Sequence, residues 1–191
     1  MGLDMYLYAE KYESRSTYKF KDNEEELEKC VNEFYPEDLH EIGIKHAKHN
    51  FLSKQTKHQI GYWRKFNALH KYFEKKVDAP HELCRGIELF ENTIRDLISK
   101  FEAILKDVEN CEIEEKQYCC GWRGGQDLYD TKKVYNSKVA LDLLPPGDGF
   151  FFGSQDIDEW YIEDIKYSLE LFKSALELLD KGYSIIYDAS W

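Results

Sequence analysis

The chain opens on GLDMYLYAEKY, in which Leu3, Met5 and Leu7 alternate with Asp4, Tyr6 and Tyr8. A period of two sends the aliphatic set to one side of a strand and the tyrosines to the other. RSTYKFK is expected to return as a second strand. Asn23 then stands before EEELEKCVNEFY, a short helix with acids in its first turn and Pro36 at its end. HEIGIKHAKHNF has an extended flavour but a weak pattern.

Three longer helices follow in this reading. From about 58 to 77, Ile60, Trp63, Phe66, Asn67, His70, Phe73 and Val77 recur at spacings of three and four. From about 85 to 108, Ile87, Phe90, Ile94, Leu97, Phe101, Ile104 and Val108 repeat the pattern as a seam. That seam would serve a bundle or a homo-oligomer. From about 156 to 181, Ile162, Ile165, Leu169, Phe172, Leu176 and Leu179 carry the third, with Gly182 placed to end it. YSIIYDASW reads as a closing strand. The segment before the third helix is punctuated by Gly121, Gly124 and Gly125 and suggests an elaborated hairpin or flap with short strands. Strands at both ends with helices between predict an α+β fold, a small, mostly antiparallel sheet from the N- and C-terminal strands packed with three long helices. The expectation is a single domain over 1–191, with a flexible or elaborated insertion at about 111–140.

Charge sharpens this picture. The net charge of −11 argues against binding a nucleic-acid polymer. Yet residues 41–77 hold nine Lys or Arg against two acids, while residues 142–191 hold eleven acids against three lysines. Two halves folding onto each other would explain the segregation; so would a compact positive site for a small anion. The five cysteines are an odd number without framework spacing and are expected to be free thiols in a cytoplasmic protein. No apolar run approaches the ~20 residues that span a bilayer, so no membrane partner is expected.

Candidate chemistry gathers at two places. If 58–77 is helical, Trp63, Asn67 and His70 share a face, with Arg64 and Lys65 flanking it. Either Asn67 and His70 are satisfied by neighbouring backbone, or they line a cavity. In a cavity Trp63 would stack on a ring, Asn67 and His70 would hydrogen-bond, and Arg64 or Lys65 would meet a phosphate. The second place is GFFFGS at 149–154. Read as a strand it sends Phe150 and Phe152 to one face, and Gly153-Ser154 then makes a tight turn into a helix whose start could hold an anion. Asp156, Asp158 and Glu159 follow and suit ribose hydroxyls; Trp160 completes the candidate wall. No phosphate-binding loop, dinucleotide fingerprint, nucleophile elbow or metalloprotease signature is present. Neither the basic histidine cluster His46, His49 and His58 nor the adjacent Cys119-Cys120 suits a metal. No cofactor, metal or catalytic residue is assigned.

GLDMYL, YWRKFNALH, the LLP step leading to GFFFGS, DEWY and the final SW together resemble a family of small proteins borne mainly by phages and prophages. That family usually carries a Trp near Tyr72 and an aromatic where Ile157 stands, and 82–141 matches poorly. The resemblance implies a viral setting in an infected or lysogenic bacterial cytoplasm and supplies no activity. Three readings follow. The first is capture of an anionic, nucleotide-like ligand such as a cyclic nucleotide or an ADP-ribose derivative, sequestering a host defence signal. The second is hydrolysis of such a ligand by His70 with Asp156, Asp158 or Glu159. The third is an acidic protein that inhibits a host factor by direct contact.

Overall fold

A computed structural model describes residues 2–20, 22–77, 80–149 and 153–191. The elements run β1 (Asp4–Ser16), α1 (Glu24–Phe34), α2 (His40–Ala47), β2 (Phe51–Arg64), α3 (Asn67–Glu74), β3 (Ile87–Leu89), α4 (Glu91–Val108), β4 (Ile113–Arg123), β5 (Gln126–Tyr135), α5 (Lys138–Leu143), α6 (Glu159–Asp180) and β6 (Ser184–Ser190). The fold is α+β, with a small antiparallel sheet and several helices. The chain divides into two compact units, one of Met1–Ala9 with Gln59–Trp191 and one of Glu10–His58.

The first unit carries a sheet of order β2-β1-β6-β3, to which β1 contributes up to Ala9 and β2 from Gln59. Leu3, Met5, Leu7 and Ala9 are buried on one face, as the period of two requires, and Ile185, Tyr187 and Ala189 of β6 do the same. Helices α4 and α6 pack together beneath them, and Ile94, Leu97, Phe101 and Ile104 of α4 are fully buried beside Ile165 and Phe172 of α6. Of the two uses open to the seam, a bundle or a homo-oligomer, these four residues of α4 serve packing inside the chain. Its first two members lie outside the helix: Ile87 is in β3, and Phe90, which stands before α4, is exposed.

In the second unit Asn23 caps α1, its Oδ1 accepting the Glu26 N–H at 3.2 Å. Leu27, Cys30, Val31 and Phe34 of α1 form a small core with Ala47 and Leu52. RSTYKFK does not return as a strand: β1 runs on to Ser16 and a 3-10 turn covers Tyr18–Phe20. HEIGIKHA is helical rather than extended, entered from a 3-10 turn at Glu37–Leu39 after Pro36. Gly43 and Ala47, four residues apart, bury one side of it, a helical period too short to read from the sequence.

The largest correction concerns 58–77. It is not one helix: β2 runs to Arg64, and α3 begins only at Asn67. Gly61 and Trp63 are buried and alternate with exposed Tyr62 and Arg64, a period of two that the longer spacing of three and four had masked. Lys65 makes the break, with a left-handed φ of 64° uncommon for a residue other than glycine.

The segment 111–140 is a long hairpin, not one with short strands, as β4 and β5 pair antiparallel from Ile113↔Tyr135 to Arg123↔Gln126. Gly124 and Gly125 both take positive φ, as a two-residue hairpin turn of matching twist demands. A bulge at Cys120 shifts the register between Cys119 and Gly121. The base of the hairpin is tied to the chain ahead of α6, Tyr135 N–H donating to Ile157 C=O at 2.8 Å. Asp158 caps α6 by accepting the Tyr161 N–H at 3.1 Å, and Gly182 follows its last turn. No described helix is long and apolar enough to cross a membrane, and none of the five cysteines is in a disulfide.

Candidate functional site

A cleft of about 630 Å³ lies within the first unit, in the size range of small-molecule sites, ~300–1,000 Å³. Three pieces of chain build it. The exit of β2 supplies Arg64, Lys65, Phe66 and Asn67; the hairpin supplies Tyr118, Cys119 and Lys132; the turn into α6 and its first turns supply the rest, including Ser154, Asp158, Trp160 and Asp164.

The turn is held tightly against the β2 exit. Gly153 has φ 100°, and a Cβ there would come within 3.1 Å of the Lys65 backbone oxygen and Cβ, so glycine is required on both counts. Asn67 grips the connection at two points: its Nδ2 donates to Ser154 C=O at 2.8 Å, and its Oδ1 accepts the Gly147 N–H at 3.1 Å. Lys71 adds a bond to Pro146 C=O at 2.9 Å. Truncating Asn67 leaves the buried Gly147 N–H and the part-buried Ser154 C=O without these partners. Asn67→Ala is expected to cost about 2–3 kcal/mol and to raise amide hydrogen exchange at Gly147; unchanged exchange there would refute the clamp.

At the floor sits Lys132, only 5% exposed. Its ammonium donates to Ser154 Oγ at 2.7 Å and to Asp158 Oδ2 and Asp156 Oδ2 at 2.8 Å each. The Tyr118 and Trp160 rings flank it, their centroids 5.9 and 5.8 Å away. Lys116 and Lys132 are directly opposed across the hairpin, and Asp156 bridges them, its other oxygen accepting from Lys116 at 2.7 Å. Burial works to lower the Lys132 pKa, but the two aspartates outweigh it and hold the group above its ordinary range. Burial likewise opposes ionisation of Asp156, and the two lysines prevail. Lys132 is thus a fixed cation, not a base or nucleophile.

Ser154 Oγ accepts from both Lys132 Nζ and the Asp156 N–H, the latter at 3.1 Å. With both lone pairs engaged, its hydroxyl can act only as a further donor. Arg64 stands at the rim with its side chain 61% exposed, 3.1 Å from Asp4. Trp160 is 44% exposed and meets Tyr118 edge-on, the centroids 5.3 Å apart. Asp164 is half-buried in the wall; burial first, then Glu163 and Asp158, push its pKa up to about 7.

Of the residues singled out from sequence, Arg64, Lys65, Asn67, Ser154, Asp158 and Trp160 line this one cleft. Trp63 does not. It is 1% exposed in the core, its Nε1 donating to Ser168 Oγ at 2.8 Å and its ring stacked on Phe172. On a strand its side chain points opposite to Arg64, which is why the two part. His70 is not there either. It is buried beside Tyr187, whose hydroxyl lies 3.0 Å from Nδ1 in a hydrogen bond, and Trp191 packs edge-on against it. Burial lowers its pKa to about 4, so it is a neutral core residue, and the acid–base pair of His70 with Asp158 or Glu159 does not form in the cleft. Phe150 and Phe152 lie outside the described residues. Sequence reasoning missed Tyr118, Lys132 and Asp164. The signal for Lys132 was its place in phase with Val134, the buried face of β5. For Asp164 it was the four-residue step from Trp160. Among the described residues no cluster suits a metal ion. No protein-family model, curated protein or solved structure matches the chain.

Proposed function

We propose that the cleft captures a small anionic, nucleotide-like ligand. A phosphate would sit at the rim between Arg64 and Lys65 and accept from the Ser154 hydroxyl, and a ring would lie on Trp160. The observation that carries this reading is the convergence of a cationic rim, an obligate hydroxyl donor and an exposed aromatic ring in one concave site. Binding without conversion fits the site better than hydrolysis, because its lysine is locked as a cation by two aspartates and His70 lies elsewhere. In the viral setting that the sequence resemblance implies, such capture would sequester a host alarm nucleotide such as a cyclic nucleotide or an ADP-ribose derivative.

Thermal-shift measurements and calorimetry against a panel of these compounds test the reading, since a ligand that binds only the folded chain must raise its melting temperature. Trp160→Ala is expected to weaken binding roughly 5- to 150-fold while the chain stays folded, because stacking of a base on an aromatic ring is worth ~1–3 kcal/mol. Chromatography of the released compound should return it intact. A panel that gives neither heat nor thermal shift would sink the proposal; turnover would move it to hydrolysis.

A further inference from the structure

The cleft is amphoteric, and two members of its acidic side, Glu163 and Asp164, have no internal task. Asp156 and Asp158 are committed to Lys116, Lys132 and the cap of α6. Glu163 faces water. Asp164 is half-withdrawn from water, lines the cleft, and meets no cation or hydrogen-bond donor among the described residues. Its oxygens are open to the cleft and free to accept from a ligand. It also stands four residues after Trp160 on α6, so the two side chains are neighbours on one helix face. A ring lying on Trp160 therefore brings its edge, or the sugar attached to it, to Asp164.

We propose that Asp164 is the specificity residue of the cleft, receiving a pair of adjacent N–H or O–H donors from the ligand, the chemistry shared by a guanine edge and a ribose cis-diol. The inference rests on the nucleotide-like reading above and narrows it. Two acceptor oxygens match two adjacent donors; a ring edge that sets a donor beside an acceptor would place the acceptor against a carboxylate oxygen. A site built to accept such donors rejects analogues that lack one.

Ionisation is linked to this role. Asp158 and Glu163, on the cap and body of the same helix, oppose the charge, as does burial. Asp156 is also an anion of the cleft, Arg64, Lys65 and Lys132 are its cations, and Tyr118 and Tyr161 line it as neutral phenols. Two ligand donors stabilise the ionised carboxylate, so binding releases a proton at low pH, and affinity rises about tenfold from pH 6 to pH 8 for a carboxyl that titrates near 7.

Calorimetry of the full chain with GMP, IMP and 2′-deoxy-GMP decides the matter. IMP lacks the amino group of the guanine edge, and 2′-deoxy-GMP lacks one hydroxyl of the diol. GMP is expected to bind at least tenfold more tightly than one of them, and which one identifies the donor pair. Asp164→Asn, which sets a donor beside an acceptor, should erase that preference and flatten the extra rise with pH, leaving only the contribution of the phosphate. Binding of all three within twofold, or a preference that survives in Asp164→Asn, overturns the assignment and leaves nucleotide binding standing. No heat with any of the three overturns the assignment and counts against the reading beneath it.

Discussion

Replacing Lys132 with alanine is expected to destabilise the first unit by about 3–5 kcal/mol, the usual penalty for removing one partner of a buried ion pair. With the cation gone, Asp158, which is 1% exposed, keeps only its cap bond to Tyr161, and Asp156 keeps only Lys116. Lys116 is a weak substitute, for its side chain is 54% exposed and such pairs are worth at most about 1 kcal/mol. Ser154 also loses its charged donor. A drop in melting temperature of roughly 10 °C follows for a chain of this length. The double variant Lys132→Met with Asp158→Asn removes both charges and should recover most of the loss, because a buried pair contributes little net stability but half of one is costly. A single variant that costs under about 1 kcal/mol, or a double variant no better than the single, would show that Lys132 is solvated and not the floor of the site.

Stability of the wild-type chain is expected to change little between pH 7 and pH 4, because two opposing titrations cancel. His70 has its folded pKa lowered to about 4 by burial. Its contribution is therefore complete above about pH 6.5 and is lost as the pH falls toward 4, when the unfolded chain takes up a proton that the folded chain refuses. The loss is about 3 kcal/mol at ~1.4 kcal/mol per pKa unit. Asp164 has its folded pKa raised to about 7, so its contribution is complete below about pH 4 and is lost as the pH rises through 7, by about 4 kcal/mol at the same conversion. Denaturant unfolding across this range separates them. Asp164→Asn should expose the His70 limb, with stability falling by up to ~1.4 kcal/mol per pH unit on acidification. His70→Gln should expose the opposite slope. If both variants keep the flat profile of the wild type, neither group is buried as described.

The sequence announces its strands at both ends because each buries one face, so Leu3, Met5, Leu7 and Ile185, Tyr187, Ala189 keep a strict period of two. The stripes of α4 and α6 are legible for the matching reason, a single buried face at helical spacing. Residues 58–77 mislead because two periods meet there. Trp63 lies three residues from Ile60 and from Phe66, and that spacing reads as helix across a strand, a left-handed lysine and a short helix. Trp63 and His70 would share a helix face with Asn67 only if 58–77 were one helix, and the break at Lys65 parts both from the cleft. Arg64, Lys65 and Asn67 line the cleft because β2 breaks at Lys65 beside it, and Ser154, Asp158 and Trp160 because they follow one another into α6. Lys132 could not be placed. Pairing it with Asp156 and Asp158 depends on the long-range register of the hairpin, and a one-residue slip would have turned Thr131 or Lys133 inward instead.

That hairpin ends in a turn around which a methyl group at Gly121, Gly124 or Gly125 would meet nothing within 4 Å. The tip is therefore a natural graft point. A tag or fluorophore inserted between Gly124 and Gly125 would extend into solvent and leave the paired base around Lys132 intact.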